Sequence, residues 1–238
     1  MAVQTVFKRY ELKFLLTAAQ KERLLPEIET YMQLDKYGRT CIKNLYFDTD
    51  TYRLIRRSLE KPDYKEKLRI RSYGNTSPDS TVFVELKKKY NGVVYKRRIP
   101  MAERAAMAWL RDGGSAPDSQ IGEEIRYFAG YYENLHPTVF LSYEREAYYC
   151  KDGSDFRLTF DDRILCRQED LSLCAPNYGA PLLPEDCVLM EVKCPGGIPL
   201  WLTSLLSRER LYKTSFSKYG TAYQTMIFSK RKENVTNA

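Results

Sequence analysis

The sequence predicts an α+β fold: an eight-stranded antiparallel β-tunnel barrel with helices packed outside. Three observations predict it. Eight segments alternate apolar and polar residues with the period of two that a strand imposes. Most of the connections between them are short, as antiparallel pairing allows, and Asn91-Gly92 is a strong hairpin signal. Stretches of helical period fall at the joints between strands. No internal repeat and no change of composition marks a linker, so residues 1–238 read as one domain.

Along the chain, residues 5–16 read as a strand with Tyr10, Leu12 and Phe14 on one face and Arg9, Glu11 and Lys13 on the other. Thr17 fits an N-cap for a helix running to about Met32. A second strand spans 42–49, followed by a short helix over 51–59. Strands over 64–73, 80–90 and 93–100 come next, then helical pattern over 101–111 and 119–132 around a Gly-Gly-Ser-Ala-Pro loop. Strands resume at 137–149 and 156–165, joined across Lys151-Asp152-Gly153-Ser154. The weakly patterned stretch 167–186 reads as a surface loop or insertion. A last strand over 187–194 leads into helices near 199–207 and 217–231.

The 238 residues are 43% hydrophobic and 29% charged, which excludes a disordered chain. No apolar run approaches the roughly 18 residues of a spanning helix, and the opening residues meet charge at once, unlike a signal peptide. A cytoplasmic location is expected. The six cysteines form no C-x-x-C pair, so reduced thiols are expected rather than zinc ligands or a redox pair. His136 is the one histidine, which excludes a histidine relay, and no P-loop motif occurs. Lys and Arg number 38 against 31 Asp and Glu, a net charge of +7 that points to an anionic partner.

That charge is arranged. Lys65, Lys67, Arg69 and Arg71 share one face of their strand, opposite Leu68 and Ile70. Glu85 with Lys87, Lys96 with Arg98, Glu191 with Lys193, and Arg157 with Thr159 and Asp161 repeat the device, and Arg145 joins them. On one strand such a face is simply solvated. Recurring on nearly every strand, with helices needing an apolar sheet face to cover, it predicts charged faces that converge inside. Arg9, Lys13, Arg69, Arg71, Lys87, Lys96, Arg98, Arg145, Arg157, Lys193 and Lys218 would then face only Glu11, Glu85, Asp161 and Glu191. Crowded like charges in a partly dry tunnel suit a polyanion, and a phosphate chain fits, gripped by Arg forks and Lys point charges. The sparse carboxylates would hold a divalent metal bridging phosphates.

Arg9-Tyr10-Glu11-Leu12-Lys13, Leu45-Tyr46-Phe47-Asp48-Thr49, Lys67-Leu68-Arg69-Ile70-Arg71, Val84-Glu85-Leu86-Lys87, Ser142-Tyr143-Glu144-Arg145, Leu189-Met190-Glu191-Val192-Lys193 and Ser217-Lys218-Tyr219 occur in the order seen in the VTC domain. The chain resembles that domain, the catalytic part of the vacuolar transporter chaperone complex with stand-alone bacterial relatives, over about residues 6–229. The resemblance implies a triphosphate tunnel fold and a polyphosphate polymerase moving the γ-phosphate of ATP onto a polyphosphate chain with Mn²⁺ or Mg²⁺. Carried over by motif, Lys13, Arg69, Arg71, Lys87, Arg145 and Lys218 are the expected catalytic cations. Lys96, Arg98, Arg157, Lys193 and the Ser217 hydroxyl are expected to bind substrate, and Glu191, Glu85 and Glu11 to hold metal.

One residue departs from the related CYTH hydrolases, which carry Glu-x-Glu-x-Lys on the first strand: Arg9 stands at the first acidic place. That favours transfer over hydrolysis. Neither an SPX region nor a membrane segment is read in the sequence, so product translocation is assigned to a membrane partner. ATP and polyphosphate are the expected ligands, without nucleic acid. Two alternatives stay open at this point: a tunnel triphosphatase, and a non-catalytic module binding polyphosphate or RNA.

Overall fold

The computed structural model describes residues 10–91 and 93–228. The chain runs β1 (Tyr10–Thr17), α1 (Ala18–Tyr31), β2 (Met32–Leu34), β3 (Thr40–Asp48), α2 (Arg53–Leu59), β4 (Tyr64–Tyr73), β5 (Thr81–Tyr90) and β6 (Val93–Ala102). It continues through α3 (Glu103–Leu110), α4 (Gln120–Tyr132), β7 (His136–Cys150), β8 (Arg157–Arg167), β9 (Ala180–Pro181), β10 (Cys187–Cys194), α5 (Leu200–Arg208) and α6 (Lys218–Ala222), ending in a π-helical turn, Tyr223–Phe228. Every strand pair is antiparallel.

The eight expected strands form one sheet in the order β1-β10-β8-β7-β3-β4-β5-β6, with two short additions that the sequence pattern did not predict: β2 on β7 and β9 on β8. The expected helix over 217–231 is a five-residue α6 followed by the π turn, and its residues beyond 228 lie outside the described residues, as do Arg9 and the Lys230-Arg231-Lys232 tail. Among the described residues no helix is long and apolar enough to cross a membrane.

The sheet is curled rather than closed, because no backbone ladder joins β1 to β6 among the described residues. The end strand β1 still meets β5, the last strand but one at the other end, through side chains. Lys87 Nζ on β5 lies 3.3 Å from both Glu11 oxygens on β1. The free side of β1 is bridged by the chain entering α6: the Thr214 N–H donates to the Lys13 carbonyl at 2.7 Å.

The convex face carries α1, α3, α4 and α5. Thr17 caps α1 with a complete capping box, accepting from the Gln20 N–H while the Gln20 side chain accepts from the Thr17 N–H. Leu24 and Ile28 of α1 and Leu202 and Leu205 of α5 then bury against Phe14, Leu158, Met190 and Val192. On the other half, Met107 and Trp109 of α3 and Ile125 and Phe128 of α4 cover Leu68, Ile70, Val82, Val84 and Leu86. These are the apolar partners of each alternating strand, so their burial leaves the charged partners on the concave face.

The concave face is not charged throughout. Cross-strand register puts Ile42, Tyr143, Ile164 and Leu189 on it, and they form one apolar cluster with Leu182, Leu183 and Phe216. A neighbouring cluster joins Tyr46, Val139, Leu141 and Cys166 to Ile55 of α2 and to Tyr219, Ala222 and Tyr223. Leu182 touches both. Along β7, β8 and β10 the concave face therefore changes from charged to apolar at a common level, where α2 and α6 close over it. Asp48 fastens this closure: its carboxylate accepts the Thr49, Leu54 and Ile55 N–H groups and the Tyr219 hydroxyl. It serves as the cap that Tyr52, in left-handed conformation at φ 57°, leaves to it.

The segment 167–186 is more than a surface loop. Arg167, 2% exposed, donates to the carbonyls of Glu169, Asp170, Ser172, Pro176 and Tyr178 and lies against the rings of Phe140 and Tyr178. Buried Lys43 donates to Leu173 and Ala175 carbonyls. Two buried cations thus organise a loop with little secondary structure of its own.

Candidate active site

The charged residues of the concave face fall into three groups. In the first, Glu191 on β10 and Asp161 on β8 share their cations. Lys218 Nζ lies 2.5 Å from Asp161 Oδ2 and 3.2 Å from Glu191 Oε1. Arg145 grips Asp161 with two bonds of 2.6 Å and reaches Glu191 Oε2 at 3.5 Å. Lys13 Nζ stands 3.3 Å from Glu191 Oε1 and donates to the Phe216 carbonyl. β1 pairs Lys13 with Glu191, β7 pairs Arg145 with Asp161, and Lys218 arrives as the first residue of α6.

In the second group, Glu85 on β5 is almost wholly buried and holds Arg69 through Nε at 2.9 Å and Nη2 at 2.7 Å. Lys96 Nζ lies 2.5 Å from its other oxygen, and Arg71 Nε lies 3.9 Å away. Arg69 and Arg71 are oriented in turn by neutral oxygens: Arg69 donates to the Tyr46 hydroxyl at 3.0 Å, and Arg71 donates to Asn44 Oδ1 at 2.9 Å and the Tyr143 hydroxyl at 3.1 Å. The third group lies at the seam, where Glu11 meets Lys87 and where Lys67 Nζ donates to Ser217 Oγ at 3.3 Å. Ser217 also caps α6 by accepting the Gly220 N–H.

Of the remaining candidates two sit apart, and Lys193 stands against Glu11, its cross-strand partner on β1. Arg98 stacks over Phe83 at the exposed edge strand, 4.6 Å from the ring. Arg157 is at the rim, mostly exposed, 3.6 Å from Asp155. Lys193 is Arg157's cross-strand neighbour, deeper in. Glu191, Glu85 and Glu11 do not converge: among the described residues no three His, Cys, Asp or Glu side chains form a metal-sized group. Each carboxylate lies among its own cations instead. Tyr46, Asn44, Tyr143 and Lys67 are site residues that the candidate set omits. Tyr46 and Asn44 follow from register, being paired with Arg69 and Arg71, and Lys67 stands on the same face as both.

The electrostatics follow from crowding. Burial alone would raise the carboxylates, but the cations outweigh it. Lys87 and Lys193 hold Glu11 down at about 2. Arg69, Arg71 and Lys96 hold Glu85 far below the carboxylate range, and Lys218, Lys13 and Arg145 do the same for Glu191. Burial lowers Lys67, Lys96 and Lys193 to about 8, with neighbouring cations adding to it. Burial would also lower Lys218, but Asp161 and Glu191 hold it well above the lysine range. Tyr46, which burial would raise, is drawn down to about 8 by Arg69, Lys67 and Arg71. The face is thus a store of positive charge partly relieved by four carboxylates, built to receive an anion.

Comparison with known proteins agrees with this geometry. No curated protein matches the chain. Among solved structures, a “putative adenylate cyclase” from Bacillus halodurans aligns over 90% of this chain and 96% of its own, with 15% identity and a TM-score of 0.59. A “putative adenylyl cyclase” from Hippeastrum, described as having a dominant triphosphatase activity, aligns over 90% and 94%, with 16% identity and a TM-score of 0.53. At these identities the likeness is one of fold, the triphosphate tunnel fold. The sequence pattern of the VTC domain matches residues 8–227, nearly the whole chain, and the protein belongs to the VTC domain family.

Proposed function

We propose that this protein transfers the γ-phosphoryl group of ATP to the end of an inorganic polyphosphate chain. The observation that carries the reading is the enclosed cationic face itself, in which Arg69, Arg71, Lys13, Arg145 and Lys218 stand around two carboxylate centres. Phosphoryl transfer needs positioning and neutralisation of charge more than it needs a base, and a terminal phosphate is already ionised. Arg69 and Arg71, fixed by Tyr46, Asn44 and Tyr143, are preorganised forks for phosphate oxygens. Lys13, Arg145 and Lys218 would exchange part of their contact with Glu191 and Asp161 for the incoming phosphates. The expected location is cytoplasmic, with a membrane partner for product translocation as part of the proposal.

A divalent cation fits part of the expected ligand set. Glu191 and Glu11 are hard oxygen donors on the concave face, and Mg²⁺ or Mn²⁺ is commonly held by one or two carboxylates plus substrate phosphates. Glu85 fits less well, because its side chain is only 1% exposed, against 11% for Glu191 and 29% for Glu11. When bound, the metal would bridge phosphate oxygens and neutralise their charge. A second reading, triphosphate hydrolysis, is favoured by one observation: the Thr159 hydroxyl, buried opposite Glu191, has no protein partner among the described residues and would be satisfied by a water.

Incubation with ATP and Mn²⁺, resolved on a polyphosphate-stained gel, tests the proposal. A ladder that disappears in Lys218→Ala and Glu191→Gln supports it. Phosphate released without a ladder moves the assignment to hydrolysis, and neither product leaves a binding module.

A further inference from the structure

The concave face carries more lysine than the proposed chemistry uses. Register sets Lys65 of β4 directly against Lys89 of β5, and the next row sets Lys67, Lys87 and Lys96 side by side across β4, β5 and β6. Like charges placed directly opposite each other in a sheet repel. Glu11 answers Lys87 and Glu85 answers Lys96. No carboxylate oxygen among the described residues lies within ion-pair distance of Lys65, Lys67 or Lys89: Lys65 Nζ reaches only the Ser58 carbonyl at 3.4 Å, and Lys67 only Ser217. Lys61, exposed just after α2, extends the same repulsive set, since Lys89, Lys61 and Lys87 all add to the lowering that burial imposes on Lys65. On β7, β8 and β10 the concave face turns apolar at depth, whereas on β4 and β5 it runs on from Arg69 and Glu85 through the lysine pairs Lys67–Lys87 and Lys65–Lys89. From Arg69 to Lys65 the row advances four residues, about 14 Å at the rise of a strand, which is longer than a triphosphate gripped at Arg69 and Arg71 requires.

We propose that Lys65 and Lys89, continued by Lys61, form an outer subsite that holds the distal units of an inorganic polyphosphate chain whose terminal phosphates lie at Arg69, Arg71 and Lys218. The inference rests on the polyphosphate reading above and adds a chain-length selectivity to it. Three neighbouring ammonium groups without an ion-pair partner among the described residues select a long flexible polyanion by total charge, and each phosphate contact releases a counterion. A triphosphate fills the inner groups and leaves the outer lysines in water.

Calorimetric titration without ATP or metal tests this, using sodium tripolyphosphate and size-fractionated long-chain polyphosphate as probes on the wild type and on Lys65→Ala/Lys89→Ala. The expected result is tripolyphosphate affinity within about twofold of wild type, long-chain affinity weakened about tenfold, and a shallower dependence of long-chain affinity on salt. Thermal unfolding of the double variant should occur at the same temperature or higher, because a repulsive pair has been removed. Long-chain binding unchanged, or both probes weakened equally, overturns the outer subsite. A wild type that binds tripolyphosphate as tightly as the long chain overturns the subsite alone, whereas a wild type that binds neither overturns the polyphosphate reading with it.

Discussion

Lys218 and Asp161 form the closest pairing at the deep end of the charged face: the ammonium stands 2.5 Å from a carboxylate with no solvent exposure, and Glu191 lies on its other side. Removing one partner of a buried ion pair leaves the other without compensation, at a cost of about 3–5 kcal/mol. Lys218→Met should therefore lower the unfolding temperature by several degrees as well as abolish turnover. Lys218→Arg should recover most of the stability and little of the activity. Differential scanning calorimetry beside the ATP assay checks both. A Met variant as stable as wild type would mean that Arg145 alone neutralises the two carboxylates.

Acid should undo the same face. Glu11 titrates near 2 in the folded protein against 4.5 unfolded, and Glu85, Asp161 and Glu191 are displaced the same way. Depressed carboxylates give stability that is complete above the unfolded value and is lost as pH falls through the folded one. Chemical denaturation between pH 6 and 2 should show a steep loss beginning below about 5. Glu11→Gln should flatten its lower part. A wild-type profile that stays level to pH 3 would contradict the proposed pairing.

At the alkaline side three depressed lysines act in the same sense. Lys67, Lys96 and Lys193 lose their protons near 8 when folded but near 10.5 when unfolded, so the unfolded chain binds more protons in that window. Stability of the ligand-free protein should rise with pH across it. Affinity for tripolyphosphate should fall across the same window, with protons taken up on binding near pH 8 to 9. Titration in buffers of different ionisation enthalpy measures that uptake directly. Binding without proton uptake would show that the phosphates never approach these three lysines.

Arg167 makes a prediction that is independent of function. Its guanidinium holds five carbonyls of residues 169–178. Replacement by Met should cost about 3 kcal/mol through the orphaned carbonyls, and limited proteolysis should then cut first between residues 168 and 186. Cleavage elsewhere first would mean that Lys43 and β9 suffice to hold the segment.

Alternation alone made the two faces legible. Leu68 and Ile70 against Arg69 and Arg71, or Met190 and Val192 against Glu191 and Lys193, give the side of the sheet without ambiguity, and the helical stretches named the covered side. What alternation does not carry is depth. Ile42, Tyr143, Ile164 and Leu189 occupy the same face as the cations, yet they form apolar filling, because register and strand tilt decide which neighbours share a level. The irregularity between Ser142 and Glu144 shifts β8 against β7 at just that level, and no local signal announces it. Glu85 was legible as a carboxylate on the right face, but its partners come from β4 and β6 and only pairing reveals them. Arg167 and Lys43 were unreadable for a related reason: a buried cation satisfied by carbonyls looks in sequence like any surface charge.

The unclosed sheet has one more consequence, for how molecules of this protein meet each other. A free strand edge is a template on which a neighbour's strand can add. The outer strand β6 presents Lys96, Arg97 and Arg98 in succession and then Pro100, which has no N–H to offer. Two such edges repel one another by charge and cannot complete a ladder at the proline. The curled sheet therefore ends in an edge that resists the addition of a neighbour's strand and growth into fibres.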